Sequence, residues 1–249
     1  MIVLAHVSDT HLDGGPRAAD RATRVMSYLN GLPRPVDAVL VTGDIADHGL
    51  AAEYEEARKI LSSPHRVFTC PGNHDVRRAY REVLLDQPGS DQPVNEVHRV
   101  AGAVIALCDS SIPGRNDGLL ADETIAWLDA VLADAPQDAP AFIGFHHPPA
   151  ILHSPLVDGI RQHRSDRLAD LVARHPQVVA LLCGHAHTPA ATTFAGRPLL
   201  VAPGVVSTLR LPWEHGGDAA DYDLPPAIAF HILDDDRRLT THYRVVSYQ

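Results

Sequence analysis

The chain of 249 residues has 45% hydrophobic and 21% charged residues and a formal net charge of −10, a balance that fits one large globular α/β domain with its own core. The acidic balance excludes a surface built to neutralise phosphate backbones, so no nucleic-acid polymer is expected as a partner. No apolar run approaches the length of a membrane span, and Met1 leads straight into a strand rather than a secretory leader, so a cytoplasmic protein without membrane contact is expected.

Strand and helix alternate from the start. Ile2–Val7 reads as a strand running into Ser8-Asp9-Thr10-His11. A glycine-rich loop over Leu12–Arg17 follows, then a helix over Asp20–Asn30 whose Ala22, Val25, Met26 and Leu29 keep helical spacing up to Gly31. Ala38–Val41 is the second strand, ending in Thr42-Gly43-Asp44, and Leu50–Leu61 the next helix. Arg66–Cys70 runs into Pro71-Gly72-Asn73-His74-Asp75, with Asp75 the expected cap of a helix over Val76–Leu85. Arg77, Arg78 and Arg81 on that helix read as a solvated face.

The pattern then changes. Val94–Val100 and Ala103–Cys108, split by Ala101-Gly102, read as antiparallel strands. A helix over Asp122–Leu132 is expected to be capped by Asp122. Ala141–Phe145 then ends in His146-His147-Pro148-Pro149, a helix covers Asp166–Arg174, and Val178–Cys183 ends in Gly184-His185-Ala186-His187. Four late strands follow, Ala191–Phe194, Leu199–Val201, Ala227–Leu233 and Leu239–Val246, the last two joined by an Asp234-Asp235-Asp236 turn. Pro203–Pro226 is the longest irregular stretch, and its length marks it as functional or disordered. The expected architecture is two mixed sheets packed together with helices outside. One domain spans 1–249, with 203–249 as a C-terminal loop and β-hairpin extension. The late strands leave an edge that a second copy can pair, so a homodimer is one option.

Five strand ends each deliver carboxylate, amide or imidazole, and open α/β sheets place ligands at the carboxyl ends of their strands. The donors are Asp9, His11, Asp44, Asn73, His146, His185 and His187. Seven are too many for one tetrahedral ion and suit two ions sharing a ligand. A carboxylate bridges best because it offers two oxygens. Asp44 is the natural bridge, since Gly43 leaves room for close approach. Asn73 would give a neutral amide oxygen.

Asp9-x-His11, Gly43-Asp44, Gly72-Asn73-His74-Asp75, His146-x-Pro148 and Gly184-His185-x-His187, in this order, resemble the motif set of calcineurin-like metallophosphoesterases. The resemblance covers residues 2 to about 202. It implies a four-layer αββα sandwich, one ion held by Asp9, His11, Asp44 and His187, and another held by Asp44, Asn73, His146 and His185. Manganese, iron and zinc all suit such donors. Within the family the chain looks most like bacterial class III cyclic nucleotide phosphodiesterases, on His6–Leu12, Val41–Asp47, His146–Pro149 and Asp109–Gly114. It departs from them at Arg115-Asn116-Asp117, where members carry histidines in a loop held to face substrate.

The implied reaction is hydrolysis of a phosphodiester by in-line attack of a hydroxide shared by the two ions. The implied substrate is a 3′,5′-cyclic nucleotide such as cyclic AMP, with glycerophosphodiesters or other small diesters and monoesters as the alternative. A non-catalytic scaffold is a third reading, and the complete donor set speaks against it. His74 is surplus to coordination and can protonate the leaving alkoxide or hold a phosphoryl oxygen. His147 reads as packing or orientation rather than a ligand. Cys70, Cys108 and Cys183 read as buried thiols of a reducing compartment. Trp213, His215 and Tyr222 can stack on a base or pack as a lid.

Overall fold

Short apolar runs such as Val39–Val41 and Leu181–Cys183 bury both faces of a strand, and they sit at the centres of two mixed sheets. The computed structural model describes residues 1–247; residues 248 and 249 of the predicted C-terminal extension lie outside the described residues.

The first half gives β1 (Ile2–Val7), α1 (Pro16–Asn30), β2 (Ala38–Thr42), α2 (Ala51–Ile60), β3 (Val67–Cys70) and α3 (Arg77–Leu84). The middle adds β4 (Glu96–Val100), β5 (Ala103–Leu107), β6 (Gly118–Leu119), α4 (Asp122–Asp134), β7 (Ala141–Gly144), α5 (Pro155–Gly159), β8 (Gln162–His163) and α6 (Asp166–Arg174). The end is β9 (Val178–Cys183), β10 (Ala190–Phe194), β11 (Arg197–Val201), β12 (Thr208–Leu209), β13 (Ala220–Asp221), β14 (Ala227–Leu233) and β15 (Leu239–Val245).

One sheet has the order β15-β14-β1-β2-β3 and the other β10-β11-β9-β7-β5-β4. β1 to β3 run parallel, as do β5, β7, β9 and β11, so their carboxyl ends share one end of the sandwich. Leu4, Leu40, Ile105, Phe142 and Leu182 fill the space between the sheets. Met26, Leu29 and Tyr54 pack the first sheet against its helices, and Leu128, Leu168 and Leu171 do so for the second. Helix, sheet, sheet and helix are thus the four layers expected. Truncating one of the central side chains to alanine costs about 2–5 kcal/mol, because a close-packed layer relaxes only partly.

Four details differ from expectation. α1 starts at Pro16, because proline at the first helical position gives up only an N–H that had no partner. The N-cap of α4 is Ala121, and the Asp122 carboxylate instead pairs with Arg167. Asp75 does not cap α3, whose N-cap is Val76 without any side-chain hydrogen bond. The stretch 203–226 contains the small β12–β13 hairpin. No helix among the described residues is long and apolar enough to cross a membrane.

A polar row crosses the first sheet. Thr42 Oγ1 lies 2.8 Å from His6 Nε2, His6 Nδ1 3.0 Å from His231 Nε2, and His231 Nδ1 2.9 Å from Thr241 Oγ1. Both imidazoles are buried, and burial holds His6 well below its ordinary pKa and brings His231 down to about 3. Unfolded histidine takes a proton near 6.5, whereas the folded row refuses it, so stability is full above about 6.5 and is lost as pH falls below it. His231 alone is expected to withdraw about 2 kcal/mol between pH 7 and pH 5. Urea unfolding of wild type and His231→Gln at both pH values checks this: the variant should lose less stability on acidification, and identical losses would contradict it.

Candidate metal centre

At the shared carboxyl end, β1 delivers Asp9 and His11, β2 Asp44, β3 Asn73 and His74, β7 His146, and β9 His185 and His187. The backbone turns sharply there. Asp9, His11, Asp44, His185 and His187 all have positive φ, between 41° and 67°, a left-handed conformation that costs a non-glycine residue of order 1–3 kcal/mol. Such strain persists only where surroundings over-determine it. Here Asp9 N–H donates to the Gly43 carbonyl, His11 N–H to the Asp44 carbonyl and His185 N–H to the Asp9 carboxylate. Two glycines admit the approach. A Cβ on Gly43 would sit 2.5 Å from His146 Nδ1, and one on Gly72 2.2 Å from Asp44 Oδ1.

Four sets of three donors have ligand atoms within 4.8 Å of one another: Asp9–His11–His187, Asp9–Asp44–His146, His11–Asp44–His74 and His146–His147–His185. They share members, so they form one cluster. On one side His11 Nε2 faces His187 Nε2 at 3.2 Å, and on the other His146 Nε2 faces His185 Nδ1 at 3.2 Å. Asp44 Oδ2 lies between, 3.2 Å from His146 Nε2 and 3.5 Å from His11 Nε2. Its Oδ1 accepts the His74 N–H at 2.9 Å, so a single oxygen faces both halves.

The other ring nitrogens of His11, His146 and His187 are spoken for. His11 Nδ1–H donates to Asp47 Oδ1 at 2.8 Å, His146 Nδ1–H to the Thr42 carbonyl at 2.7 Å, and His187 Nδ1 pairs with Ser207 Oγ at 2.8 Å. Each bond fixes the ring and leaves Nε2 pointing inward. Asn73 Oδ1 and His185 Nε2 are buried without any hydrogen-bond partner. A buried carbonyl oxygen left unpaired costs about 1–3 kcal/mol, which a cation at that position would remove. The residues present therefore fit divalent metal.

The charges agree. Burial would raise Asp9, but the His187 and His146 imidazoles outweigh it and bring the carboxyl down to about 2. Burial likewise opposes ionisation of Asp44, and His146, His11 and His74 hold it well below the carboxylate range. Burial would lower His146, yet Asp44 and Asp9 lift it to about 9; Asp9 also raises His187 against its burial. His185 falls to about 3, through burial and then its neighbour His146. Two buried carboxylates thus keep their charge and draw positive charge between them. That is the field a cation pair would meet.

His74 stands beside the cluster, its ring edge-on to His11 at 4.6 Å between centroids. Its Nδ1–H donates to the Asp47 carbonyl at 2.8 Å and lies 3.4 Å from the Asp47 carboxylate. Asp47 therefore orients both His11 and His74. Nothing in the reading of the donors singled it out, although its place three residues after Asp44 was in plain view. Asp75 serves the site in a way its sequence position does not suggest. Its carboxylate accepts N–H groups of Ile45, Ala46 and Gly72 and the Tyr54 hydroxyl, tying the loop of Asp44 to the loop of Asn73. Burial and the charge of Asp44 push it up to about 6.

The remaining candidates fall into place around this. His147 is buried, its Nδ1 2.8 Å from Ser110 Oγ and its ring 4.6 Å from His185. Arg115 donates to both oxygens of Asp117 at 2.7 and 2.6 Å, so the departure in that loop gives a paired guanidinium, not a free one. Tyr222 lies under the Arg17 guanidinium, while Trp213 is 70% exposed. Arg77 leaves the solvated face expected for it: its Nε is 2.8 Å from buried Asp109. The three cysteines are free and buried, and burial raises all three thiols.

Residues 2–189 match the calcineurin-like phosphoesterase family. The chain is 36% identical over 248 residues to the glycerophosphodiester phosphodiesterase GpdQ of Enterobacter lignolyticus, covering 92% of this chain and 86% of the relative. It is 34% identical over 244 residues to a probable cyclic nucleotide phosphodiesterase of Rhodococcus erythropolis (93% and 80% covered). It is also 34% identical over 228 residues to the cAMP/cGMP dual specificity phosphodiesterase MT0825 of Mycobacterium tuberculosis (86% and 71% covered). Its fold is similar to that of a dimetal phosphatase from Danio rerio, with a TM-score of 0.74 at 15% identity over 99% of this chain and 96% of the other. From its donor cluster to its order of strands, this chain belongs to the calcineurin-like phosphoesterases.

Proposed function

We propose that the chain is a dinuclear-metal phosphodiesterase acting on 3′,5′-cyclic nucleotides, cyclic AMP foremost. The observation that carries this reading is the position of Asp44 Oδ2 between two facing imidazole pairs. Asp9, His11, Asp44 and His187 would hold one ion, and Asp44, Asn73, His146 and His185 the other. Such ions, manganese, iron or zinc, lower the pKa of water and neutralise charge on phosphoryl oxygens.

The chain's own residues do the rest. Asp9 fixes the His185 backbone, Thr42 and Ser207 fix the rings of His146 and His187, and Gly72 gives Asp44 its room. His74, anchored through Nδ1 to the Asp47 carbonyl, keeps Nε2 for the proton that the leaving alkoxide takes up. Removing the carboxylate that holds the His11 ring and lies 3.4 Å from His74 is expected to be costly: Asp47→Ala should lower kcat about 10–100-fold and weaken metal affinity, read by titration calorimetry. An unchanged kcat would remove Asp47 from the mechanism.

A second reading has its own support, since the 36% identical relative is a glycerophosphodiester phosphodiesterase. Hydrolysis by manganese-loaded protein of 3′,5′-cyclic AMP, 2′,3′-cyclic AMP, glycerophosphocholine and a plain monoester separates the two. The highest kcat/KM is expected on 3′,5′-cyclic AMP; a preference for glycerophosphocholine would replace this reading with the second.

A further inference from the structure

One buried arginine stands where a core residue is expected. Arg21 lies on the core-facing side of α1, three residues after Ala18 and four before Val25, and is 1% exposed. A guanidinium in that place is unfavourable unless its N–H groups are satisfied. Its Nε–H donates to the Val205 carbonyl at 2.7 Å, Nη1 to the Tyr222 carbonyl at 3.3 Å and Nη2 to the Leu224 carbonyl at 2.7 Å. Arg17, one turn earlier, donates to the Tyr222 carbonyl as well and lies 4.9 Å over that ring. Both ends of the stretch 205–224 thus close on one side chain. The stretch leaves from the cluster. Gly204 N–H donates to the His187 carbonyl at 2.8 Å, Val205 N–H to the Ser8 carbonyl at 2.9 Å and Val206 N–H to the Asp9 carbonyl at 3.0 Å, while Ser207 Oγ is 2.8 Å from His187 Nδ1. Residues 204–207 therefore lace the end of β1 to the end of β9, strands of different sheets. Asp9 and His187 are the ligand candidates they hold, and both have left-handed backbone, with φ of 57° and 53°, which only such surrounding bonds sustain. His146 is fixed instead by Thr42, and the loops of Asp44 and Asn73 by Asp75.

We propose that Arg21 is a positioning residue for one half of the metal centre: by clasping 205–224 it seats residues 204–207, and these set Asp9 and His187 around the ion they share with His11 and Asp44. The inference rests on the two-ion reading above and assigns one of the ions its own support. A guanidinium suits the task because its planar fork offers several N–H groups in fixed directions, so carbonyls from both ends of the stretch meet one rigid group. A lysine ammonium is a single point on a flexible stem. Ser207 is the last link of the clasp, because the orientation of a ligating imidazole depends on the partner of its other ring nitrogen.

Two variants test this by manganese titration calorimetry, in which wild type is expected to bind two ions. Arg21→Lys keeps a cation in place but cannot span the carbonyls of Val205, Tyr222 and Leu224. It should weaken one of the two affinities about tenfold while the other stays within about twofold. Ser207→Ala leaves the clasp whole and cuts only its last bond, and should weaken the same ion about 10–100-fold. Manganese-edge diffraction at limiting metal identifies that ion. The peak among Asp9, His11 and His187 should lose occupancy in both variants, and the peak among Asn73, His146 and His185 should keep it. A merely structural role for Arg21 would lower the thermal midpoint and leave both affinities unchanged, or weaken both alike; either result would overturn the clasp and leave the two-ion reading in place. So would an unchanged affinity in Ser207→Ala, whatever the yield of Arg21→Lys. Wild-type protein that binds fewer than two manganese ions would overturn the reading, and the clasp with it.

Discussion

His74→Ala is expected to lower kcat on cyclic AMP by about 10²–10⁴-fold while the protein keeps its metal content. The ring is placed for this: it contacts His11 edge-on and is held through Nδ1 by the Asp47 carbonyl, yet it donates to none of the seven ligand candidates through its side chain. Metal content by mass spectrometry and kcat measured on the same preparation separate chemistry from assembly. A second substrate refines the role. A p-nitrophenyl diester leaves as a stable phenolate and needs no proton, so its loss in the variant should shrink to less than about tenfold if His74 acts as the acid. Equal losses on both substrates would assign the ring to holding a phosphoryl oxygen. Full activity on both would remove it from the mechanism.

Gly72→Ala, a change of one methyl group, is expected to remove at least about 99% of kcat, since displacing a catalytic group by about 1 Å costs on the order of 10²-fold. The new Cβ would stand 2.2 Å from Asp44 Oδ1 and 2.5 Å from the Asp44 backbone nitrogen. Neither has a free way out, because Asp44 Oδ1 already accepts the His74 N–H and the loop is tied through Asp75 to Ile45 and Ala46. Overpacking of this kind costs about 1–3 kcal/mol of stability, or a fall in thermal midpoint of about 2–12 °C in a chain of this size. Gly159→Ala is the control, for nothing lies within 4 Å of its added Cβ. Gly159→Ala should match wild type in kcat. A Gly72→Ala enzyme with wild-type kcat would mean that the position of Asp44 does not matter.

The central strands β1, β2, β5, β7 and β9 were legible because burial on both faces leaves an unbroken apolar run, and β1, β2, β3, β7 and β9 stood out because they end in metal-loving side chains. Asp9 and His11, or His185 and His187, are two apart in the chain, but all four lie in left-handed backbone rather than on an extended strand, so it is the turns after β1 and β9, not an alternation of faces, that bring them to the cluster. What lay hidden came from partners far away in sequence. The Asp75 carboxylate looked like a helix cap because its position suits one; in the fold it meets Ile45 and Ala46 N–H groups some thirty residues earlier, and those outcompete the helix. Arg77 looked solvated by its neighbours, but the chain brings Asp109 against it. Ser207 lies in a stretch that offers no periodic pattern, and only the docking of that stretch on the loop after β9 sets it on His187. Asp47 was missed for a different reason: it holds ligand candidates rather than being one, and reading donors alone looks past the residues that aim them.

The arrangement of donors around Asp44 can be examined directly by diffraction from manganese-soaked crystals at the manganese edge. Two anomalous peaks are expected, one on each side of Asp44 Oδ2, with Asp9, His11 and His187 around the first and Asn73, His146 and His185 around the second. A single peak, or peaks that leave Asp44 without a metal neighbour, would contradict a shared-aspartate centre.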